Sequence, residues 1–370
     1  MLIFPSKPQI SVYVGTGFDI WLHSYFLTGL VALEQQQVID LELQTRDLFG
    51  ISPVGHPLLV CCLRGTSLTR PQVLCFDAQD QADRWHSQAL AACDLYFKRS
   101  AHPPAIQQLA ARDQAKVRPI NPMFATWDGS SWNWSAQVYR SFLTTAARRF
   151  LSTRNWASTM APLKRSSRDF ATLSTLREYE DTPVANKRLQ VLFQTRLWNP
   201  SEEEGDWVEP CNQHRIKMVR VLRAKLGDRV VGGLIRERYA AEQYPELLTN
   251  LTPTGKAQRP EFIRLCRQFL VRVNIKALFD AIPYSLGETL AANNCLVSES
   301  IRNISATPLI PGQHYSSFTT PEECADQCLE LLDSPQRAQG LREVAHEYYR
   351  TAVQPAAAMK MYLDQALSQP

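Results

Sequence analysis

The sequence predicts an α/β protein made of two parallel, doubly wound sheets in tandem. Three observations carry that expectation. At 370 residues the chain is too long for one ordinary core, so two domains of ~150–200 residues each are expected. Short apolar runs alternate with helix-period segments in both halves, the pattern of βαβ units. Several of those runs, such as Pro57 to Leu63, are continuously apolar, as strands buried on both faces are.

In the first half, Ile10 to Val14 reads as a strand, and Gly15-Thr16-Gly17 leads into a helix over Ile20 to Glu34. In that helix Leu22, Tyr25, Phe26, Gly29, Leu30 and Leu33 recur at helical spacing. Val38 to Leu43, Pro57 to Leu63, Val73 to Phe76 and Asp94 to Phe97 follow as strands, with Gln81 to Cys93 helical. Between Trp127 and Asp181 the pattern dissolves into turn residues, tryptophans and basic residues, up to a boundary near "EYEDTPVANKR".

Alternation then restarts. Leu189 to Phe193 and Val230 to Leu234 read as strands, with a helix over Asn212 to Lys225 between them. Phe262 to Leu270 reads as a helix, Val271 to Ile275 as a strand, Glu288 to Ala292 as a helix start and Cys295 to Val297 as a strand. Thr320, Pro321 and Glu323 spell a capped start for a helix running to Leu332. A long helical segment from Pro335 to Leu367, interrupted near Pro355, closes the chain.

Composition excludes some classes. With 45% apolar and 21% charged residues the chain is a folding one, not a disordered one. A net charge of +4 suits phosphate-bearing small molecules and lacks the basic stripe of a nucleic-acid binder, so no nucleic-acid partner is expected. Nine scattered cysteines form no CxxC pair or zinc spacing, which points to a reducing, cytoplasmic setting with no metal site. The N-terminus does not read as a signal peptide, and no apolar run approaches membrane-spanning length. The basic stretch 140–168 reads as a solvated helical face or as a peripheral contact with an anionic membrane or a glycan.

Five segments in order, "DLYFKRS" (Asp94 to Ser100), "VLFQTRLWNP" (Val191 to Pro200), "RAKLGDRVVGGL" (Arg223 to Leu234), "LGETLAANNCLVSESI" (Leu286 to Ile301) and "GQHYSSFTTPEECADQCLELLDSP" (Gly312 to Pro335), resemble a bacterial branch of the group 1 glycosyltransferases. The resemblance is best over residues 187–365. It implies a GT-B fold: two Rossmann-like domains facing each other across a cleft, residues 1–182 on the acceptor side and 183–345 on the nucleotide-sugar side. The segment 346–370 would return as a helix to the first domain. The implied activity moves a hexose from a nucleoside diphosphate sugar to a glycan, lipid-linked or small-molecule acceptor hydroxyl, with retention and with neither metal nor cofactor.

The resemblance also implies roles. Glu288, preceded by Gly287, looks like the carboxylate that takes the ribose diol, although an acid at a helix start has a capping role of comparable standing. Arg196, after a strand, stands where a cation would grip the diphosphate. Asp280, eight residues before Glu288, stands where a common variant of the family carries a glutamate and is a shorter acid; Asp280 and Arg196 are the expected catalytic pair. Glu299 is a further candidate for the same cleft. On the acceptor side Gly15 and Gly17 form a candidate phosphate loop, though a plain tight turn fits them as well. Asp77, Lys98 and Arg99 end strands there, with Asp77 or Asp80 as base candidates or helix caps. Ser285 departs from the pattern, because relatives carry a lysine at that place. Either Lys276, Arg236 or Arg302 replaces that charge, or the chain binds without catalysing.

Overall fold

The computed structural model describes residues 7–14, 19–44, 46, 48, 51, 56–65, 68–129, 136, 140, 143, 172–182, 186–203, 205–252 and 259–368. Two sheets organise it. The first has the order β2-β1-β3-β4-β5-β6, from β1 (Gln9–Tyr13), β2 (Asp40–Gln44), β3 (Leu58–Arg64), β4 (Gln72–Asp77), β5 (Leu95–Lys98) and β6 (Val117–Pro119). The second has the order β11-β10-β9-β7-β8, from β7 (Arg188–Thr195), β8 (Val230–Leu234), β9 (Phe269–Asn274), β10 (Cys295–Glu299) and β11 (Ser316–Phe318).

The second sheet is parallel throughout. Its chain order reverses direction between β7 and β9, so the crevice beyond their carboxyl ends is where such sheets hold ligands. The first sheet is parallel except for β3, which runs against both β1 and β4. Only residues 65–71 separate β3 from β4. A parallel crossover needs a dozen residues or more, so that short link forces the reversal.

The helices that matter below are α1 (Ile20–Gln35), α2 (Val208–Leu226), α3 (Arg259–Cys266), α4 (Tyr284–Ala291), α5 (Pro321–Asp333), α6 (Pro335–Tyr348) and α7 (Pro355–Leu367). Thr320 caps α5 by accepting the Glu323 N–H at 3.2 Å. A π turn over Tyr349–Val353 breaks the final segment before Pro355. The helix read over Gln81 to Cys93 shrinks to Ser87–Ala92.

The C-terminal helix α7 lies on α1. Tyr25 donates its hydroxyl to the Val353 carbonyl at 2.6 Å. The approach is close at Gly29, where a Cβ would sit 2.3 Å from the Pro355 carbonyl oxygen. Tyr362 packs on Phe97 at 5.1 Å and accepts the Asn121 N–H at 2.8 Å. The apolar cluster built around the first sheet and α7 also takes in Leu286, Leu290 and Leu296 from the second half, so the two halves share buried surface. Arg99 ties them further: its guanidinium donates to the Ile282 carbonyl at 2.6 Å and lies 4.0 Å over the Tyr284 ring.

Candidate functional site

A cavity of about 810 Å³ lies between the two sheets, within the range typical of small-molecule sites. One wall comes from the first half, where Asp83 follows β4 and His102 follows β5. The facing wall comes from the carboxyl ends of β9 and β10 and the start of α2. It carries Trp207, His214, Arg215, Lys276, Phe279, Asp280 and Glu299.

Glu299 organises that wall. It ends β10 with its side chain 13% exposed, and accepts the backbone N–H of Lys276 at 2.7 Å. Its second oxygen lies 3.2 Å from His214 Nε2. Burial raises the Glu299 carboxyl, but His214 and the Lys276 N–H outweigh it and hold it below the usual carboxylate range. Arg215 follows His214 on α2 and is buried. It donates through Nη1 to the Arg196 carbonyl at 2.8 Å, while its Nε has no hydrogen-bond partner among the described residues. Lys276 Nζ stands 3.5 Å from Asp280, which Arg302 also approaches at 4.0 Å. Lys276, Arg215 and His214 therefore share one wall with two carboxylates. Such a surface offers N–H donors to a phosphate and acceptors to hydroxyls beside it.

Of the residues expected from the sequence, Asp280 and Glu299 line this cavity and most of the others do not. Glu288 is buried in α4, four residues after the helix begins, so it is not a helix-start acid, and it does not line this cavity. Arg272 Nη2 donates to it at 2.9 Å, and Arg259 pairs with its other oxygen. Burial raises the Glu288 carboxyl, and the two arginines more than reverse this. Gly287 serves packing: a Cβ there would meet Phe124 Cδ1 at 2.9 Å and the Met123 oxygen at 3.1 Å.

The Arg196 side chain is half exposed, pairs with Glu237 at 3.1 Å and lies over Trp198; only its carbonyl reaches the site, through Arg215. Arg236 is exposed beyond β8 and is not part of the lining. Asp77 and Lys98 form a fully buried pair at 3.0 Å, with Tyr96 donating to Asp77 at 2.7 Å and His56 Nε2 lying 3.1 Å from its other oxygen. Burial pushes the Asp77 carboxyl up, but Lys98 and His56 outweigh it and hold it at about 2. This pair and Arg99 hold the first sheet and the junction together, away from the lining. Gly15 and Gly17 lie outside the described residues, as does the stretch 140–168 except for positions 140 and 143.

Sequence reading missed His214, Arg215 and Trp207. The first two sit in a helix whose polar residues look like a solvated face. The signal that could have found them is their place in the first two turns of the helix that follows strand β7. Ser285 donates its hydroxyl to Asn274 Oδ1, and Lys276 lines the cavity. Among the described residues no group of three or more His, Cys, Asp or Glu is placed to hold a metal ion, and no helix is long and apolar enough to cross a membrane.

No family model matches the sequence, and no curated protein does. Solved structures do. The chain is similar to HepE from Anabaena in complex with UDP-glucose, at 9% identity and TM-score 0.38, covering 97% of this chain and 100% of that one. It is similar to the C-terminal domain of LpcC, a group 1 family glycosyl transferase from Francisella tularensis, at 8% identity and TM-score 0.32 over 48% of this chain and 96% of that one. It is also similar to a UDP-GlcNAc 2-epimerase from Neisseria meningitidis bound to UDP-GlcNAc, at 11% identity and TM-score 0.33 over 77% of this chain and 64% of that one. All three likenesses are distant.

Proposed function

We propose that this protein is a glycosyltransferase that takes a hexose from a nucleoside diphosphate sugar held in the cavity between its sheets. The observation that carries the reading is the wall at the carboxyl ends of β9 and β10 and the start of α2, where Lys276, Arg215 and His214 line the cavity beside the β7–β9 switch in strand order. In this reading the diphosphate lies against those three side chains. When the bond from the sugar's anomeric carbon to the diphosphate breaks, the electron pair leaves with the diphosphate. Preorganised positive charge in a closed cleft then stabilises it more than water does. The acceptor oxygen bonds the anomeric carbon on the face the diphosphate leaves, and its proton passes to a diphosphate oxygen, so configuration is retained. We assign independence of divalent metal, because Lys276 and Arg215 stand against the leaving group's charge.

A second reading is a chain that binds the sugar nucleotide without turning it over. It is favoured by Ser285, whose hydroxyl is committed to Asn274, and by Glu288, whose two oxygens are committed to arginines. Both side chains stand where the family resemblance expects ligand contacts. Incubating the protein with a panel of nucleoside diphosphate sugars and simple glycoside acceptors separates the two. Release of nucleoside diphosphate with a new glycoside supports transfer. Saturable binding without release supports the second reading, and the absence of binding removes both.

A further inference from the structure

We propose that Trp207 and Phe279 form an aromatic corner that seats a hexopyranose ring, with Asp280 and Lys276 taking its hydroxyls. The inference deepens the transferase reading and rests on it only in taking the nearby cations as the diphosphate's neighbours. Phe279 is 48% exposed, unusual for a large apolar side chain, yet it lines the cavity. Its ring centre lies 6.2 Å from that of Trp207, with the planes at 53°. Trp207 is backed edge-on by Trp198, at 5.8 Å and 81°. The indole therefore packs against both Trp198 and Phe279, and Trp207 and Phe279 line the cavity.

The backbone maintains this exposure against two tendencies. Phe279 has φ 58° and ψ 33°, and Asp280 has φ 58°, so two consecutive residues with a Cβ occupy the left-handed region. The loop closes on itself, with the Ala281 N–H donating to the Leu278 carbonyl at 3.1 Å and the Ala277 N–H to the Ala281 carbonyl at 3.0 Å. Strain held in a loop that presents an apolar ring to a cavity is a mark of a binding element.

The shape favours a sugar over a nucleobase. A flat base sandwiched between two rings needs them near-parallel and about 7 Å apart, twice the ~3.5 Å carbon contact distance. Planes tilted by 53° leave no such slot. They leave a corner that suits a pyranose chair, whose C–H groups gather on one face while its hydroxyls form the rim. Asp280 is adjacent in sequence and Lys276 stands 3.5 Å from it, giving an acceptor and a donor at that rim.

Saturation-transfer NMR and calorimetry on the full chain test this with UDP, GDP, UDP-glucose, GDP-mannose, and the methyl glycosides of glucose, galactose and mannose. Trp207→Ala and Phe279→Ala should each weaken a sugar-bearing probe about fivefold or more, while the matching nucleoside diphosphate stays within about twofold. Phe279→Tyr and Trp207→Phe should retain binding, which guards against loss of fold. If the sugar nucleotide weakens, the seated ring is the donor's; if only the methyl glycosides weaken, it is the acceptor's. Equal weakening of the nucleoside diphosphate, or indifference of every sugar probe, overturns the proposal, as does a wild-type chain that binds no sugar probe. Methyl glycosides lost in the variants with no nucleotide binding would remove the transferase reading and leave this one standing. Nucleotide binding that ignores both rings would do the opposite.

Discussion

Arg272 and Glu288 face each other at 2.9 Å inside the molecule, and Arg259 pairs with the carboxylate's other oxygen. A strand, a helix and the start of α3 are thus joined through one buried charge. Removing that charge strands two guanidiniums where water is scarce.

Glu288→Ala should therefore destabilise the fold by about 3–5 kcal/mol, the usual cost of breaking a buried pair from one side. Urea titration should show a lower midpoint at an unchanged slope. Nucleotide affinity of the molecules that remain folded should stay near that of the parent. Unchanged stability with lost nucleotide binding would return Glu288 to the site.

Lys276 and Arg196 should separate cleanly. Lys276→Ala removes a cation from the cavity wall and should weaken nucleoside diphosphate binding about tenfold, with Lys276→Arg recovering part of it. Arg196→Ala and Arg236→Ala should change it by less than about twofold, since exposed side chains outside the lining interact weakly with a ligand inside it. Calorimetry with UDP and GDP reads all four.

Acid stability should report the Asp77–Lys98 pair. The folded carboxyl is held at about 2, below the ~3.9 of an unfolded aspartate. A depressed folded value means that the unfolded chain binds the proton first. The contribution, roughly 2–3 kcal/mol, is fully present above pH ~5 and is lost as pH falls towards 2. Denaturation midpoints between pH 5 and pH 2 should fall along that window, added to by Glu288, whose carboxyl is depressed too. In Asp77→Asn the share due to Asp77 should vanish, and a slope equal to the parent's would remove the pair from the account.

Gly29→Ala tests the return of the C-terminal helix. The added Cβ would meet the Pro355 oxygen at 2.3 Å and Met359 Cγ at 2.4 Å. Pushing α7 off α1 should cost about 1–3 kcal/mol, the range of overpacked cores, read as a lower denaturant midpoint. An unchanged midpoint would show that the contact is slack.

The layered plan was legible because period and burial speak clearly in this sequence. Leu58 to Leu63 and Gln72 to Asp77 are buried along their length, and both read as strands. Direction was harder, because a strand buried on both faces carries no mark of which way it runs. The seven residues between β3 and β4 did carry that information through their length. The start of α4 was misread by four residues. Pro283 supplies an extended residue before the helix, and no side-chain cap announces it. That shift moved Glu288 from a helix start into the interior. His214, Arg215 and Trp207 become a site only when α2 is set beside the ends of β9 and β10. No local pattern contains that neighbourhood. Glu299, by contrast, ends its strand and was findable from the strand alone.

The most direct measurement is isothermal calorimetry of the intact protein against UDP, GDP, ADP and their hexose conjugates, in parallel with the Lys276→Ala and Arg215→Ala variants. The cavity-wall account predicts saturable binding of at least one nucleoside diphosphate, weakened about tenfold in each variant. Absence of binding across the panel, or binding that neither variant disturbs, would contradict it.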